Sequence, residues 1–366
     1  MSLGTHLADL TLRIGNDDAP GVVAELAAIC EPPGVTVEAL RRHHLVGLVV
    51  RAIADAGSWT TLPNDLVEAI EANRPPPPVP PAELLDAFEE LAASLSEHGI
   101  PALQLKGLVF AERFYGGLDR RPQYDIDVLV PRRRLRAAAR LLEQRGYRRE
   151  SYDLHSRTLL RGKLKVDLHR TLRWAPAYRI DERAVWSGAR VAAVGGRQIQ
   201  TISDDHTLLL LVLSIYEDAG QGSAKLKQLL DLLLLAADLD STIDWVAFLA
   251  RREAEGVRRI AVNVLALMIS VFEAAELVPH LTATLAPHLH EVVLTSRQAA
   301  LDLLLAPRKD PANLSWFRAI YPGSFTAYIA WFWAAGFPAN LRDPGRASIR
   351  DTVTVTIGRS DTPPTE

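Results

Sequence analysis

The stretch RRPQYDIDVLV, residues 120–130, decides how this chain is read. Asp125 and Asp127 stand one residue apart at the start of an apolar, β-branched run that predicts a strand. Charged residues normally leave such a run, so two carboxylates there need a reason. In a strand, residues i and i+2 share a face, about 6.5–7 Å apart along the chain. Two negative charges then sit side by side and repel, unless a cation lies between them or water reaches both. Mg²⁺ takes oxygen ligands and keeps part of its shell for water and phosphate. Two metals about 3.5–4 Å apart can clamp the attacking and leaving oxygens of a phosphoryl displacement. Taken alone, the D-x-D has three readings: a metal site for phosphoryl transfer, the metal site of a glycosyltransferase holding a nucleotide-sugar diphosphate, or a strand end whose acids are solvated.

The neighbouring sequence adds to the first reading. A third acid, Asp167, falls mid-strand in KVDLH, where an unpaired carboxylate is costly. Just upstream, LQLKGLVF (103–110) reads as strand, tight turn and helix start. The turn glycine lets backbone approach a phosphate, helix N-terminal N–H groups attract anions, and Lys106 adds positive charge.

Around this segment the chain has three parts. Residues 5–57 carry leucine, valine and alanine at helical spacings. RPPPPVPP (74–81), with six prolines in eight residues, is a stiff extended connector. An amphipathic helix to Gly99 follows, then a strand at 100–105, a turn at Lys106-Gly107, and a helix ending at the glycine pair 116–117. Pro131 stops the D-x-D strand and opens a further helix. Strands are expected in YRRESYDL, RTLLR and LKVDLHRTL (164–172), with a hairpin turn at Gly162-Lys163. From Ser203, a candidate N-cap, the pattern is helical to about residue 305, with shorter pieces to about 336. The tail is expected to be mobile, apart from a short candidate strand at TVTVTI. No repeat of fixed period is present.

Composition narrows the function classes. The 366 residues favour more than one domain, and 48% hydrophobic with 23% charged residues suits a globular chain. With a net charge of −3 the whole chain is not a generic polyanion binder. Residues 131–173 nevertheless carry 14 Lys or Arg against four acids. Within it, residues 132–149 are either a solvated helix face or a contact for a polyanion such as a tRNA end. The single cysteine, Cys30, excludes an internal disulfide and a cysteine metal cluster. The N-terminus lacks the basic start and apolar core of a signal peptide, and the apolar runs 207–216 and 229–237 are too short to span a bilayer. A cytoplasmic protein is expected.

The segments LKGLVFAERFYGGLDRRPQYDIDVLVPRRRLRAAARLLEQRGY and LKVDLH, over about residues 84–173, resemble the bacterial uncharacterised nucleotidyltransferase family of the DNA polymerase beta-like superfamily. RRHHLVGLVV and LKQLLDLLLLAA are similar to it as well. The resemblance implies an α+β fold: a small mixed-sheet nucleotidyltransferase core (82–200) flanked by an N-terminal helical lobe (1–73) and a C-terminal helical lobe (201–338), with the connector at 74–81 and the tail at 339–366. It implies that Asp125 and Asp127 hold catalytic Mg²⁺ or Mn²⁺, with Asp167 as the third carboxylate helping to activate an acceptor hydroxyl. Lys106-Gly107 stands where the superfamily more often has Gly-Gly or Gly-Ser, the turn assigned to the triphosphate of the NTP co-substrate.

Other residues carry paired readings. Arg121 either pairs the triphosphate in bidentate fashion or makes a loop ion pair with Asp119 or Glu112. His169, on the face of Asp167, either orients a carboxylate or contacts nucleotide, or is a structural residue at a strand end. His155 reads as a loop histidine. Tyr115 and Tyr124 either stack on a base or, the preferred reading, pack in the interior. Lys225 and Lys227 either reach nucleotide from the C-terminal lobe or, preferred for Lys227, pair with Asp231 at i+4. The expected function is metal-dependent transfer of a nucleoside monophosphate to an acceptor hydroxyl on a small molecule, peptide, protein or tRNA end. The rivals are a non-catalytic nucleotide- or RNA-binding module of the same fold, and a glycosyltransferase, which needs a large nucleotide-binding domain ahead of the motif.

Overall fold

A computed structural model describes residues 1–74, 79–152, 156–173, 175, 177–308, 310–326 and 329. His155, residues 75–78 of the proline connector and the tail with its candidate strand lie outside the described residues.

Five helices open the chain: α1 (Leu3–Gly15), α2 (Ala19–Ala27), α3 (Pro33–Arg42), α4 (Val46–Ala56) and α5 (Asn64–Ala72). Their apolar residues recur at helical spacing, as in α4, where Val46, Val49, Val50 and Ile53 form one buried stripe. Among the described residues no strand lies before Leu103, so the large nucleotide-binding domain that the glycosyltransferase reading needs ahead of the motif is not among them.

The middle of the chain holds α6 (Pro81–Glu97), β1 (Leu103–Gln104), α7 (Leu108–Tyr115), β2 (Ile126–Leu129), α8 (Leu135–Gln144), β3 (Arg148–Tyr152), β4 (Ser156–Arg161), β5 (Leu164–His169), α9 (Glu182–Ser187), β6 (Arg190–Val194) and β7 (Arg197–Thr201). The seven strands form one mixed sheet in the order β3-β4-β5-β2-β1-β7-β6. β2 and β5 are parallel, as are β1 and β7; the remaining neighbours are antiparallel. The strand expected over 100–105 shortens to two paired residues, consistent with Pro101, which has no N–H to donate. The β6–β7 hairpin was not expected. Its signal was available: RVAAV and RQIQT flank Gly195-Gly196, and Ala192, Val194, Ile199 and Thr201 alternate into the interior.

The C-terminal part is α10 (Asp204–Gly220), α11 (Leu226–Leu239), α12 (Trp245–Ala254), α13 (Arg258–Phe272), α14 (Pro279–Leu285), α15 (Arg297–Leu305) and α16 (Pro311–Ile320). Ser203 caps α10 by accepting the His206 N–H at 3.3 Å. The run TLLLLVLSIY is apolar on every side because α10 is buried by its neighbours. No helix among the described residues is long and apolar enough to cross a membrane.

Two cores result. Ile126, Val128, Val166 and Leu168 point to one face of the sheet and pack with residues of α6 and α8. Leu103, Leu105 and Leu129 belong to the second core, which joins helices from before and after the sheet, among them α1, α4, α10, α11 and α13. Asp125 and Asp127 alternate with Ile126 and Val128, so they share the face of Leu129. The acids therefore lie where the sheet meets the large helical core.

Candidate active site

Parallel pairing of β2 with β5 sets Asp127 directly opposite Asp167 and Leu129 opposite His169. Asp125, just before β2, stands on the same face. The backbone thus brings the three sequence-predicted acids and His169 together. Their side chains are all engaged by the protein. Asp167 Oδ1 accepts a 2.5 Å hydrogen bond from Thr158 on the other neighbouring strand, β4. Asp127 Oδ1 lies 3.0 Å from His169 Nε2, and its Oδ2 lies 3.5 Å from Lys106 Nζ. The Lys165 ammonium sits 3.4 Å from Asp125 Oδ2 and 3.0 Å from Asp167 Oδ2.

These contacts polarise the acids differently. Burial alone raises the pKa of Asp127, but Lys106, the His169 hydrogen bond and Arg173 outweigh it and hold the carboxyl far below its usual range. Desolvation, then the charge of Asp127, push Asp125 upward, against the pull of Lys165 and Lys106. For Lys165, burial is outweighed by Asp125 and Asp167, which hold it at about 12. The ammonium is firmly charged. Among the described residues no three His, Cys, Asp or Glu side chains converge as a ready-made metal cluster. The reason is visible in the contacts, since each acid turns to a lysine, a histidine or a threonine. As a donor set they still suit a divalent cation: three carboxylates on one sheet face, already drawing ammonium groups as stand-in cations.

The turn before α7 lies alongside. Gly107 has φ +78, and a Cβ there would fall 2.7 Å from Gln123 Oε1. The Gln123 amide is buried and makes no hydrogen bond within the described protein. Such an orphaned polar group fits a recess made for a polar ligand. The first N–H groups of α7 open from this turn.

Arg121 pairs with neither Asp119 nor Glu112. Its fork bonds Asp231 of α11 through Nε at 3.2 Å and Nη2 at 2.7 Å, with only 7% of the side chain exposed. Tyr115 is buried and donates to the same carboxylate at 2.8 Å, so its packing reading matches the structure. Tyr124 does not follow that reading: it is 42% exposed beside Asp125. Lys227 lies 3.9 Å from Asp231, the i,i+4 pair expected. Burial, then Arg121, lower its pKa from 10.5 to about 7 despite Asp231. The Leu226 N–H that opens α11 donates to Nδ1 of His43, whose burial keeps it neutral, with a pKa near 3. Lys225 is the N-cap residue of α11.

Three residues near the acids were missed. Lys165 and Thr158 belong to the strand ladder, and Arg173 joins the sheet to α10 through Ser214 and Glu217. Lys165 was legible, since period-two alternation puts it on the face of Asp167. The partners of Thr158 and Arg173 depend on strand register and helix packing. Arg132, Arg133, Arg134 and Arg136 are all exposed, as a solvated helix start requires. A cleft of about 640 Å³ between α6 and the β4–β5 turn, lined by Glu83, Asp86, Glu90, Arg161 and Lys163, contains none of the acids.

Two outcomes follow from the buried charges. Asp231→Ala strands the Arg121 guanidinium and is expected to cost about 3–5 kcal/mol in urea unfolding, with Arg121→Met alongside it recovering much of the loss. Lys227 binds its proton less tightly folded than unfolded, so the unfolded chain holds more protons between the two values and stability rises with pH from about 7 toward 10.5. Lys227→Met removes that gain. Wild type should improve relative to the variant between pH 7 and about 10; a constant difference contradicts the assignment.

Two solved structures of the antibiotic-resistance factor ANT(2'')-Ia match in part. One, a crystal structure in complex with adenylyl-2''-tobramycin, is 17% identical, with TM-score 0.35, covering 47% of this chain and 96% of that one. The other, a solution structure, is 21% identical, with TM-score 0.30, covering 58% and 99%. An antigenic nucleotidyltransferase-like protein from Paracoccidioides brasiliensis is 16% identical, with TM-score 0.35, covering 56% and 92%. No curated protein sequence matches. The model of the uncharacterised nucleotidyltransferase family matches residues 33–273, which span α3 to the end of α13 and include every acid of the site. With well over half of its 366 residues so matched, the chain belongs to the uncharacterised nucleotidyltransferase family.

Proposed function

We propose that this nucleotidyltransferase moves a nucleoside monophosphate from an NTP to an acceptor hydroxyl in a reaction dependent on Mg²⁺ or Mn²⁺. The observation that supports it best is the β2–β5 register, which sets Asp127 beside Asp167 with Asp125 on the same face. Asp125, Asp127 and Asp167 are the residues that would hold the metal, which when bound supplies positive charge against the reacting phosphates.

In the transfer, the acceptor oxygen forms a bond to the α-phosphorus. The bond from that phosphorus to the bridging oxygen breaks, and pyrophosphate leaves with the electron pair. The hydroxyl proton passes to Asp167, which Thr158 holds in place through its other oxygen. His169 fixes the orientation of Asp127. Lys106 and the N–H groups that open α7 take the β- and γ-phosphates, with Gly107 keeping the approach clear. Arg121 acts as a brace: its fork is committed to Asp231, so it positions the loop before β2 and the start of α11 in place of gripping the triphosphate. Most of the acceleration comes from positioning and electrostatic stabilisation.

The test is transfer of α-³²P from each NTP, with Mg²⁺ or Mn²⁺, into small RNA, a metabolite extract and protein. Label is expected to enter one pool and to fall by about 10²–10³ in Asp127→Asn. NTP binding without label in any pool would instead identify a non-catalytic nucleotide-binding module.

A further inference from the structure

We infer that Lys165 is an exchangeable cation of the active site: its ammonium holds the place between Asp125 and Asp167 that the metal takes, and metal binds by displacing it. The inference rests on the metal-dependent reading above and adds a residue to it.

Three observations carry it. Lys165 lies two residues before Asp167 on β5, so both face the same way, and continuing the β2–β5 ladder one step back from Ile126–Val166 sets Lys165 opposite Asp125. Its ammonium contacts one oxygen of each acid, at 3.4 and 3.0 Å, bridging carboxylates from two strands. Lys106 differs, because among the described residues its ion pair is with Asp127 and it stands at the turn proposed to take the phosphates. An ammonium and a dication within about 4 Å of each other repel strongly in a recess of low dielectric, so the two cannot share the gap. Lys165 can leave, since 35% of its side chain is exposed and its four-carbon stem is flexible. In the metal-free chain it neutralises acids that would otherwise repel across the strands. Once displaced, it adds a positive charge beside the polyphosphate.

Exchange makes a specific demand on binding. Removing the resident ammonium should strengthen metal affinity, whereas removing a supporting lysine should weaken or not alter it. The test is Mn²⁺ titration of the full chain without nucleotide, read by the free-Mn²⁺ electron paramagnetic resonance signal, together with thermal unfolding with and without Mn²⁺. Lys165→Met and Lys165→Gln are compared with Lys163→Met, an exposed lysine of the neighbouring turn. Both Lys165 variants are expected to bind Mn²⁺ about fivefold tighter, the scale of one lost ion pair. They should unfold at lower temperature when metal-free and recover when Mn²⁺ saturates. Lys163→Met should stay within about twofold of wild type. Equal or weaker affinity in the Lys165 variants, with wild type still binding Mn²⁺, overturns the exchange and leaves the metal reading standing. The same holds if Lys163→Met tightens binding as much. Failure of both Lys165 variants to fold even with Mn²⁺ marks the ammonium as a fixed structural partner and also overturns it. Absence of saturable Mn²⁺ binding by every protein overturns the metal reading itself, and the exchange with it.

Discussion

Mutual repulsion of Asp125, Asp127 and Asp167 is the constraint on which the rest of the site depends. Register between two parallel strands forces the three carboxylates onto one face. Like charges so placed need cations, donors or protons. Each is supplied: Lys165 between Asp125 and Asp167, Lys106 and His169 on Asp127, Thr158 on Asp167. A charged cluster of this kind is a poor way to stabilise a sheet, because hydrophobic residues of similar size would serve as well or better. Its presence makes chemical sense if the cations are meant to change during the protein's work.

A second charged unit ties this face to the helices. Arg121, Tyr115, Lys227 and Asp231 meet where the loop before β2 touches α11. The pair is buried, so its geometry is well defined, and it couples the position of β2 to the core shared by α1, α4, α10, α11 and α13. His43 extends the link to the N-terminal helices through the first N–H of α11. Elements far apart in sequence thereby fix the acids relative to the turn at Gly107.

Much of this was legible in the sequence because it depends on local pattern. An apolar, β-branched run located β2, period-two alternation located β5, the position of Pro131 marked the end of the D-x-D strand, and Ser203 marked the start of α10. Asp125, Asp127, Asp167 and His169 were found by the same alternation. What escaped depends on tertiary pairing. No spacing rule joins Arg121 to Asp231 across 110 residues, and local acids looked the nearer partners. Tyr124 follows a buried arginine and glutamine, yet it projects outward, which adjacency alone does not tell. The β6–β7 hairpin carried its signal in a glycine pair flanked by short strands, with the exposed apolar residues Val191 and Ala193 masking the alternation in β6.

The most direct measurement is anomalous scattering from crystals grown with Mn²⁺ and a non-hydrolysable NTP analogue. The account predicts a Mn²⁺ peak among Asp125, Asp127 and Asp167, with the Lys165 ammonium moved out of the gap between Asp125 and Asp167. Carboxylates still paired to Lys106 and Lys165, with the analogue bound and no Mn²⁺ peak beside them, would contradict it.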